Sequence, residues 1–424
     1  MPELGFGSIA KKIQNSVDNK AKEVTAKAKD QIVETIRNAV SVSNSYYGND
    51  LAIFIEVDGN EINLTDATFS GVMIDSGMSP EAGICQVHME VPGYNFSDEN
   101  KISVHKDFAQ FKVGRVLKIK ISNKFVDEKP VDAVSVFNGF IERIEYRISA
   151  SGNTEFVLHG MDAKMWMMAN KLTKARGEGQ NLETIITSAI NDYNSLAKKG
   201  TISLLKNINI KNTFYQANQS DYEFLCALAD STGSLFYVDA DGKVNFCAPS
   251  KLGTPNNTIS SKEGRVKSVE LSASVWGTPQ CVKVTAIDPI DPSKPISAQC
   301  ISANSIGSGK APKQVVPQNF SSETKGIRYV NIIDDTIDSM EQAKARAEAT
   351  YNIRNLRFAE VVLTVQGNPG LRVGQGMTLS YFGDPFDNEY LIARVEHLWR
   401  TFSDDQMYST RLYLVANKIH VQEV

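Results

Sequence analysis

The sequence predicts a mainly β protein of the α+β class: two similar β-barrel modules flanking a small α+β domain, with a long N-terminal amphipathic helix. Three observations carry that expectation. Two stretches about 255 residues apart share the same order of strand signatures, the segment between them reads as strand, capped helix and hairpin, and the first 45 residues carry one apolar stripe at helical spacing.

The central stretch is Thr213–Pro249. Ser220 and Glu223 stand in the S-x-x-E spacing of a capping box, in which each side chain satisfies a backbone N–H of the first turn. Tyr222, Leu225, Leu228 and Ala229 then recur on one helical face. Gly233 follows where a left-handed C-cap favours glycine. Leu235–Val238 and Val244–Phe246 read as short strands joined at Asp241-Gly242, a hairpin turn signal.

The flanking halves look like one module used twice. FKVGRVLKI (Phe111–Ile119) matches LRVGQGMTL (Leu371–Leu379), so that Val113-Gly114 aligns with Val373-Gly374. Ile141-Glu142-Arg143-Ile144-Glu145 aligns with Ile392-Ala393-Arg394-Val395-Glu396, and TEFVLHG (Thr154–Gly160) with STRLYLV (Ser409–Val415). The offset is 260 at Val113/Val373, 251 at Arg143/Arg394 and 256 at Leu158/Leu414, a drift that turns absorb cheaply. Alternation of apolar and polar residues implies sheets with one buried face. The Val-Gly pairs are expected to mark a bulge or a sharp barrel corner.

Taken in order, residues 1–49 form a helix and linker, 50–175 the first β module, 176–255 the middle α+β domain and 256–424 the second β module. Ile9, Ile13, Val17, Val24, Ile32 and Ile36 lie on the N-terminal stripe, opposite faces rich in lysine and acid. Roughly 30 helical residues reach about 45 Å. A lone helix of this kind needs a partner, and three are open: its own body, another subunit of an assembly, or a membrane surface. Strands are expected at Leu51–Val57, Phe69–Ile74, Ile84–Val91 and Lys101–Val104. The Met-rich Met161–Ala169 is read as packing beneath the barrel, with an adaptable binding face as the alternative. Arg176–Gln180 reads as a mobile break, and Leu182, Ile185, Ile186, Ala189 and Ile190 as the buried face of the helix after it. In the second module, Val266–Ala273 and Cys281–Ile287 read as strands, 288–328 as an inserted loop and 339–353 as a helix. A loop of that length is either an ordered excursion toward a neighbour or floppy.

Composition narrows the chemistry. At 424 residues the chain suggests two to four domains, and 42% hydrophobic with 22% charged residues are globular values. A net charge of −4 gives no nucleic-acid footprint. Five scattered cysteines without a C-x-x-C point to reduced thiols and synthesis in a cytoplasm. No apolar run approaches a membrane span and the start lacks a signal-peptide pattern. The five histidines stand at no metal-ligand spacing, and G-x-S-x-G, P-loop and dinucleotide fingerprints are absent. The expectation is therefore a non-enzymatic chain with no cofactor, metal or catalytic residue. A carbohydrate-acting or wall-degrading enzyme on a β scaffold is the alternative of a different class, and it requires a carboxylate pair in a cleft.

QANQSDYEFLCALADSTGSLFYVDADGKVNF, with Tyr215, Ser220, Asp221, Tyr222, Phe224, Leu225, Gly233 and Phe236, and LRVGQGMTL…EYLIARVEHLW near the C-terminus resemble the baseplate hub family of contractile tails. This is the fold family of phage late control gene D proteins and the N-terminal part of VgrG proteins of type VI secretion. The resemblance covers about Asp50 to Val415. It implies a homotrimer whose two barrels per chain make six quasi-equivalent lobes joining a six-fold tube to a three-fold spike. Expected partners are the tail tube or a tube-initiator protein, a separate spike protein and other baseplate subunits. Cargo loaded through the N-terminal helix or the 288–328 loop is the alternative. VgrG chains continue into a spike whereas this sequence stops at Val424, and the first 45 residues have no counterpart in the pattern. The implied location is a phage tail, tailocin or injection-system baseplate made in a bacterial cytoplasm.

Overall fold

A computed structural model describes residues 51–420, except 63, 65–66, 79, 93–106, 127–128, 149–152, 178, 210–213, 253–256, 289–290, 303–305, 312–327, 335, 385 and 403–404. The expected N-terminal helix with Ile9, Ile13, Val17, Val24, Ile32 and Ile36, the strand at Lys101–Val104 and much of the 288–328 loop lie outside the described residues. The chain divides into two compact units, Met1–Ile53 with Ile121–Val134, and Phe54–Lys120 with Ser135–Val424.

The first part of the chain gives β1 (Ala52–Val57), β2 (Asn60–Glu61), β3 (Thr68–Gly77), β4 (Ile84–Pro92), β5 (Val116–Ser122), β6 (Lys124–Val126), β7 (Lys129–Val131), β8 (Val134–Ile148), β9 (Asn153–Met161) and the short helix α1 (Lys164–Met168). The middle gives β10 (Leu172–Arg176), α2 (Leu182–Asn191), β11 (Lys198–Ser203), β12 (Phe214–Gln219), α3 (Asp221–Thr232), β13 (Leu235–Val238) and β14 (Lys243–Cys247). The last part gives β15 (Asn257–Ser260), β16 (Val266–Ala273), β17 (Cys281–Ile287), β18 (Pro295–Cys300), β19 (Tyr329–Ile333), α4 (Met340–Asn355), β20 (Ala359–Gln366), β21 (Gly376–Ser380), β22 (Glu389–Phe402) and β23 (Asp405–Ala416). In the smaller unit, β6 and β7 form a hairpin, closed by the Ser122 hydroxyl donating to Lys124 O at 2.9 Å and Val131 O at 2.5 Å.

The protein is mainly β, and its largest feature is one thirteen-stranded sheet. Its order is β16-β20-β23-β22-β3-β4-β9-β8-β5-β1-β2, with β21 on the edge of β22 and β15 beyond it. The order repeats: β16-β20-β23-β22-β21 in one half matches β3-β4-β9-β8-β5 in the other. The irregularities repeat as well. A register shift falls between Ile141 and Arg143 in β8 and between Ile392 and Arg394 in β22. Another falls between Phe69 and Gly71 in β3 and between Val266 and Ser268 in β16. A bulge occupies one position in a ladder, so matched bulges on matched strands are a stronger sign of duplication than alternation.

The Val-Gly words are turns, and the bulges sit on the strands opposite. Gly114 takes φ +83° and Gly374 φ +85°, backbone that a Cβ disfavours. Gly114 N donates to Ile141 O at 2.8 Å and Ile141 N to Arg115 O at 2.9 Å; Gly374 N donates to Ile392 O at 3.0 Å and Ile392 N to Gln375 O at 2.9 Å. The third strands align two residues from the sequence alignment. Ile144 faces Leu158 and Val395 faces Leu412, so Leu158 is equivalent to Leu412 at an offset of 254 (412 − 158). An even slip leaves every side chain on its own face, which is why alternation alone did not reveal it.

The middle segment follows the sequence closely. The Ser220–Glu223 capping box forms at α3, and Gly233 ends the helix at φ +62°. Leu182, Ile185, Ile186, Ala189 and Ile190 of α2 are buried with Phe224, Leu225 and Leu228 of α3 over β13 and β14. Each of the leucine, isoleucine and phenylalanine side chains contributes about 1.5–3 kcal/mol when fully buried. Met167 of α1 is fully buried in the same cluster, as packing requires.

Two placements differ from expectation. Cys281–Ile287 is a strand, but it pairs with β18 and β19 in a separate three-stranded sheet covered by Ala343, Ala347 and Tyr351 of α4. Part of the 288–328 excursion is therefore ordered strand, and Lys310 returns to bridge Ile419. Arg176–Gln180 was expected to be a mobile break, yet Arg176 ends β10, paired with Phe214 of β12.

The two turn glycines are expected to respond unequally to alanine. A Cβ at Gly114 meets nothing within 4 Å, whereas at Gly374 it stands 2.4 Å from the Tyr237 hydroxyl. Gly114→Ala should cost about 1–2 kcal/mol from backbone strain alone and Gly374→Ala clearly more, read by urea unfolding. Equal losses would refute the unequal surroundings.

Candidate functional site

Of the residues singled out from the sequence, Ser220, Asp221, Tyr222, Phe224, Leu225, Gly233, Val373 and Gly374 lie at joints between the repeated halves and the middle segment, whereas Val113 and Tyr215 are exposed. The first joint is the β22–β3 seam. Beyond its bulge, β22 leaves β21 and pairs antiparallel with β3, from Arg394 opposite Gly77 to Arg400 opposite Gly71. Arg394 Nε and Nη2 donate to the two carboxylate oxygens of Asp75 at 2.8 and 2.5 Å, a bidentate fork. Nη2 also lies 3.0 Å from Glu396, and the guanidinium packs 5.0 Å from the Tyr413 ring centroid. The hydrogen bond to Asp75 and the surrounding carboxylates hold the Arg394 pKa above its ordinary value. Further along the seam His397 is buried beside the Tyr408 hydroxyl, 2.9 Å from Nδ1, and burial lowers its pKa to about 4.

The second joint is the turn between β13 and β14. Arg372 Nη1 donates to Asp241 at 3.1 Å and Nη2 to Ser135 O at 3.2 Å. The Ser135 hydroxyl donates to Ala240 O at 2.6 Å and Asn138 Nδ2 to Asp241 O at 3.0 Å. One hairpin tip thus holds the start of β8 and the second Val-Gly turn together. The consequence is asymmetric: Val373 is 7% exposed, and its equivalent Val113 is 62% exposed.

The third joint explains the S-D-Y-x-F-L word. Ser220 caps α3, while Asp221, 1% exposed, accepts from Arg176 Nη2 at 2.6 Å, Gln216 Nε2 at 3.0 Å and the Tyr193 hydroxyl at 2.8 Å. Its place in the first turn also sets it in the positive end of the helix. Tyr222 reaches out of the domain to donate to Pro80 O, next to the end of β3. Phe224 lies under the Arg176 guanidinium and Leu225 is fully buried. Gly233 is needed twice, for its positive φ and because a Cβ there would stand 2.6 Å from Ala349 O of α4. Sequence reading missed Arg176, Gln216 and Tyr193. Their signal was a buried aspartate that needs a cation, but no local spacing links them.

A buried pair marks where α1 meets the loop after β3. Asp162 accepts from Gly83 N at 2.7 Å and Lys164 N at 2.9 Å, and Lys164 Nζ donates to Glu81 O and lies 5.1 Å from the Phe236 centroid. Burial lowers the Lys164 pKa and raises that of Asp162. All of these groups are committed to one another. Among the described residues no group of three or more His, Cys, Asp or Glu side chains is placed to hold a metal, and no helix is long and apolar enough to cross a membrane. Burial pushes the thiols of Cys226 and Cys300 up, away from reactivity.

The chain shares its fold with phage tail proteins and a type VI secretion component. It is similar to the 43 kDa tail protein of prophage MuSo2 from Shewanella oneidensis, at 13% identity and a TM-score of 0.60, over 86% of this chain and 98% of that one. It is similar to a tail protein from Neisseria meningitidis at 12% identity and a TM-score of 0.60, over 87% and 97% of the two chains. A component of the type VI secretion system of E. coli, described as structurally similar to T4 bacteriophage tail proteins, matches at 10% identity and a TM-score of 0.51, over 87% and 79%. At these identities the likeness is one of fold. The model of the Alg8 N-terminal domain family matches residues 97–400, and the chain belongs to that family. No curated protein matches the chain.

Two outcomes test the joints. Asp221→Ala removes the nearer carboxylate from a buried guanidinium, leaving Asp192 at 3.6 Å, and should cost up to about 3–5 kcal/mol in urea unfolding, with Asp221→Asn losing less; a loss under about 1 kcal/mol would contradict the network. Burial keeps His397 neutral, so its native pKa of about 4 lies below the ordinary 6.5 of an unfolded chain. Its contribution is complete above about pH 6.5 and falls away toward pH 4, by at most about 3 kcal/mol. His397→Gln should flatten that part of the stability–pH profile, and an unchanged slope would assign it to other groups.

Proposed function

We propose that the chain is a structural hub of a contractile injection apparatus: a homotrimer that joins a six-fold tube to a three-fold spike. The observation that carries this is the duplication, in which two halves share strand order, two bulges and a glycine turn. Two repeats in each of three chains give six lobes on a three-fold frame, which symmetry matching needs. The tail and secretion proteins with this fold support the setting. In this reading 50–175 and 256–424 each close into a barrel-like lobe, 176–255 is the domain between them, and residues 1–49 are an N-terminal helix and linker that contact another subunit.

The partners in this reading are the tube or its initiator protein, a separate spike protein and neighbouring baseplate subunits. The chain supplies stiffness and docking surfaces and turns nothing over. Membership of the Alg8 N-terminal domain family names a domain and prescribes no reaction. The commitment of the ionic groups at the three joints to partners within the chain supports a mechanical role. The protein is made in a bacterial cytoplasm and works in a phage tail, tailocin or secretion-system-like baseplate.

Single-particle images of the purified chain test this. Three-fold particles with six similar lobes around a central hole are expected. A compact monomer with one deep cleft and no paired lobes would overturn the hub and favour an enzyme on a β scaffold.

A further inference from the structure

The two Val-Gly turns are one turn used twice, and only one of them is occupied. Beyond the matched glycine bonds, Arg115 N donates to Lys112 O at 3.3 Å and Gln375 N to Arg372 O at 3.4 Å. Phe111 and Leu371 root the two turns in the core alike. Lys112 therefore stands where Arg372 stands. At the second turn the β13–β14 tip is seated: Arg372 holds Asp241, and the Tyr237 hydroxyl lies over Gly374. At the first turn Lys112 is exposed and makes no ion pair among the described residues. A Cβ added at Gly114 meets nothing within 4 Å among them, and Val113 stands in solvent.

Beside the first turn lies an open cleft of about 260 Å³. Asp58 and Asn60 of the β1–β2 turn bound it on one side, and Gln110, Lys112 and Arg115 on the other. Arg115 Nη1 donates to Asp58 at 3.1 Å and so ties the two walls together. The cleft is smaller than the roughly 300–1,000 Å³ of small-molecule sites and mostly polar, dimensions that suit the side chains of a protein tip.

We propose that the first Val-Gly turn docks a β-hairpin tip of a partner protein, with a tip carboxylate on Lys112 and an apolar or aromatic side chain laid over Val113. The template is internal, because the second turn already binds such a tip through the equivalent residues. Charge selects an acidic tip, since the position taken by Arg372 is again a cation. The chain's own tip is committed elsewhere: Ala240 O accepts from the Ser135 hydroxyl and Asp241 O from Asn138 Nδ2, as well as the Arg372 contact. A second copy has its tip committed in the same way, so the occupant is a different protein. Arg372 reaches Asp241 and Ser135 O with one planar fork, whereas a lysine at this place is a single point charge. The contact at the first turn is thus made through fewer bonds and is the exchangeable one. This goes beyond the hub reading and holds for any number of chains in the particle.

The test uses the full-length chain and a labelled peptide of the chain's own tip, Tyr237–Asn245, cyclised through a D-Pro-Gly turn and followed by fluorescence anisotropy. Saturable binding tighter than about 1 mM is expected. Lys112→Glu in the chain, or Asp241→Lys in the peptide, should each weaken it about fivefold, and the two together should restore it. Lys112 is exposed, so its replacement should leave the urea midpoint unchanged. Binding indifferent to Lys112→Glu puts the peptide elsewhere and overturns the site, as does no saturation at about 1 mM. Self-association that falls with Lys112→Glu in the absence of peptide, read by sedimentation, gives the turn to a second copy and overturns the partner. Three-fold particles are expected from the wild-type and Lys112→Glu chains alike, so the docking site and the hub fail separately.

Discussion

The structure depends on a bulge that lets one long strand serve two neighbours. β8 and β22 are 15 and 14 residues long, well beyond the usual strand. Each opens alongside a short strand that enters through a glycine turn, and the bulge then re-aims the remainder. Without that break β22 would keep one partner along its length, and the halves would have no common seam. With it, Arg394–Arg400 is free to take β3, and two modules become one sheet. The Arg394–Asp75 fork adds direction to the pairing, because a bidentate bond tolerates no slip in register.

Local features were legible in the sequence because their causes lie within a few residues. The capping box at Ser220 and Glu223, the left-handed Gly233 and the β13–β14 hairpin formed as their spacing dictates. The duplication was legible too, through Val-Gly and Ile-x-Arg. The thirteen-stranded continuity was not, since strand neighbours are set by pairing between residues hundreds apart, and Asp75 and Arg394 carry no local mark of each other. Cys281–Ile287 shows the same limit. Its alternation fits any half-buried strand, and only the packing of α4 assigns it to a separate sheet. Arg176 looked like the start of a mobile break because glycines follow it. Its partner Asp221 lies 45 residues away, on the helix that the sequence had marked most clearly.

The ionic groups at the joints divide by purpose. Asp221 with Arg176 fixes α3 against β10, and Arg394 with Asp75 fixes one half of the sheet on the other. Both replace a choice among similar packings with one geometry, and the buried Asp221–Arg176 pair does so at a desolvation cost that apolar residues would not carry. A catalytic site needs a group held at an awkward protonation state and open to a substrate. Here His397 is displaced in pKa but enclosed by Tyr408 and Thr410, and Lys164 is displaced but closed in by Phe236 and Glu81. These shifts record burial at joints.

The middle segment also breaks the symmetry of the duplicated halves. There is one hairpin tip per chain and two Val-Gly turns, so only one turn is covered. Tyr237 and Asp241 take the second turn, which buries Val373 and engages Arg372, while Val113 stays in solvent. In the trimer proposed above the sheet halves would repeat six times and the covered turns three times. Local six-fold equivalence on the strand side then coexists with three-fold character where the middle domains lie. An adaptor between two symmetries requires that combination, and a duplicated module with a single unduplicated insert is an economical way to encode it.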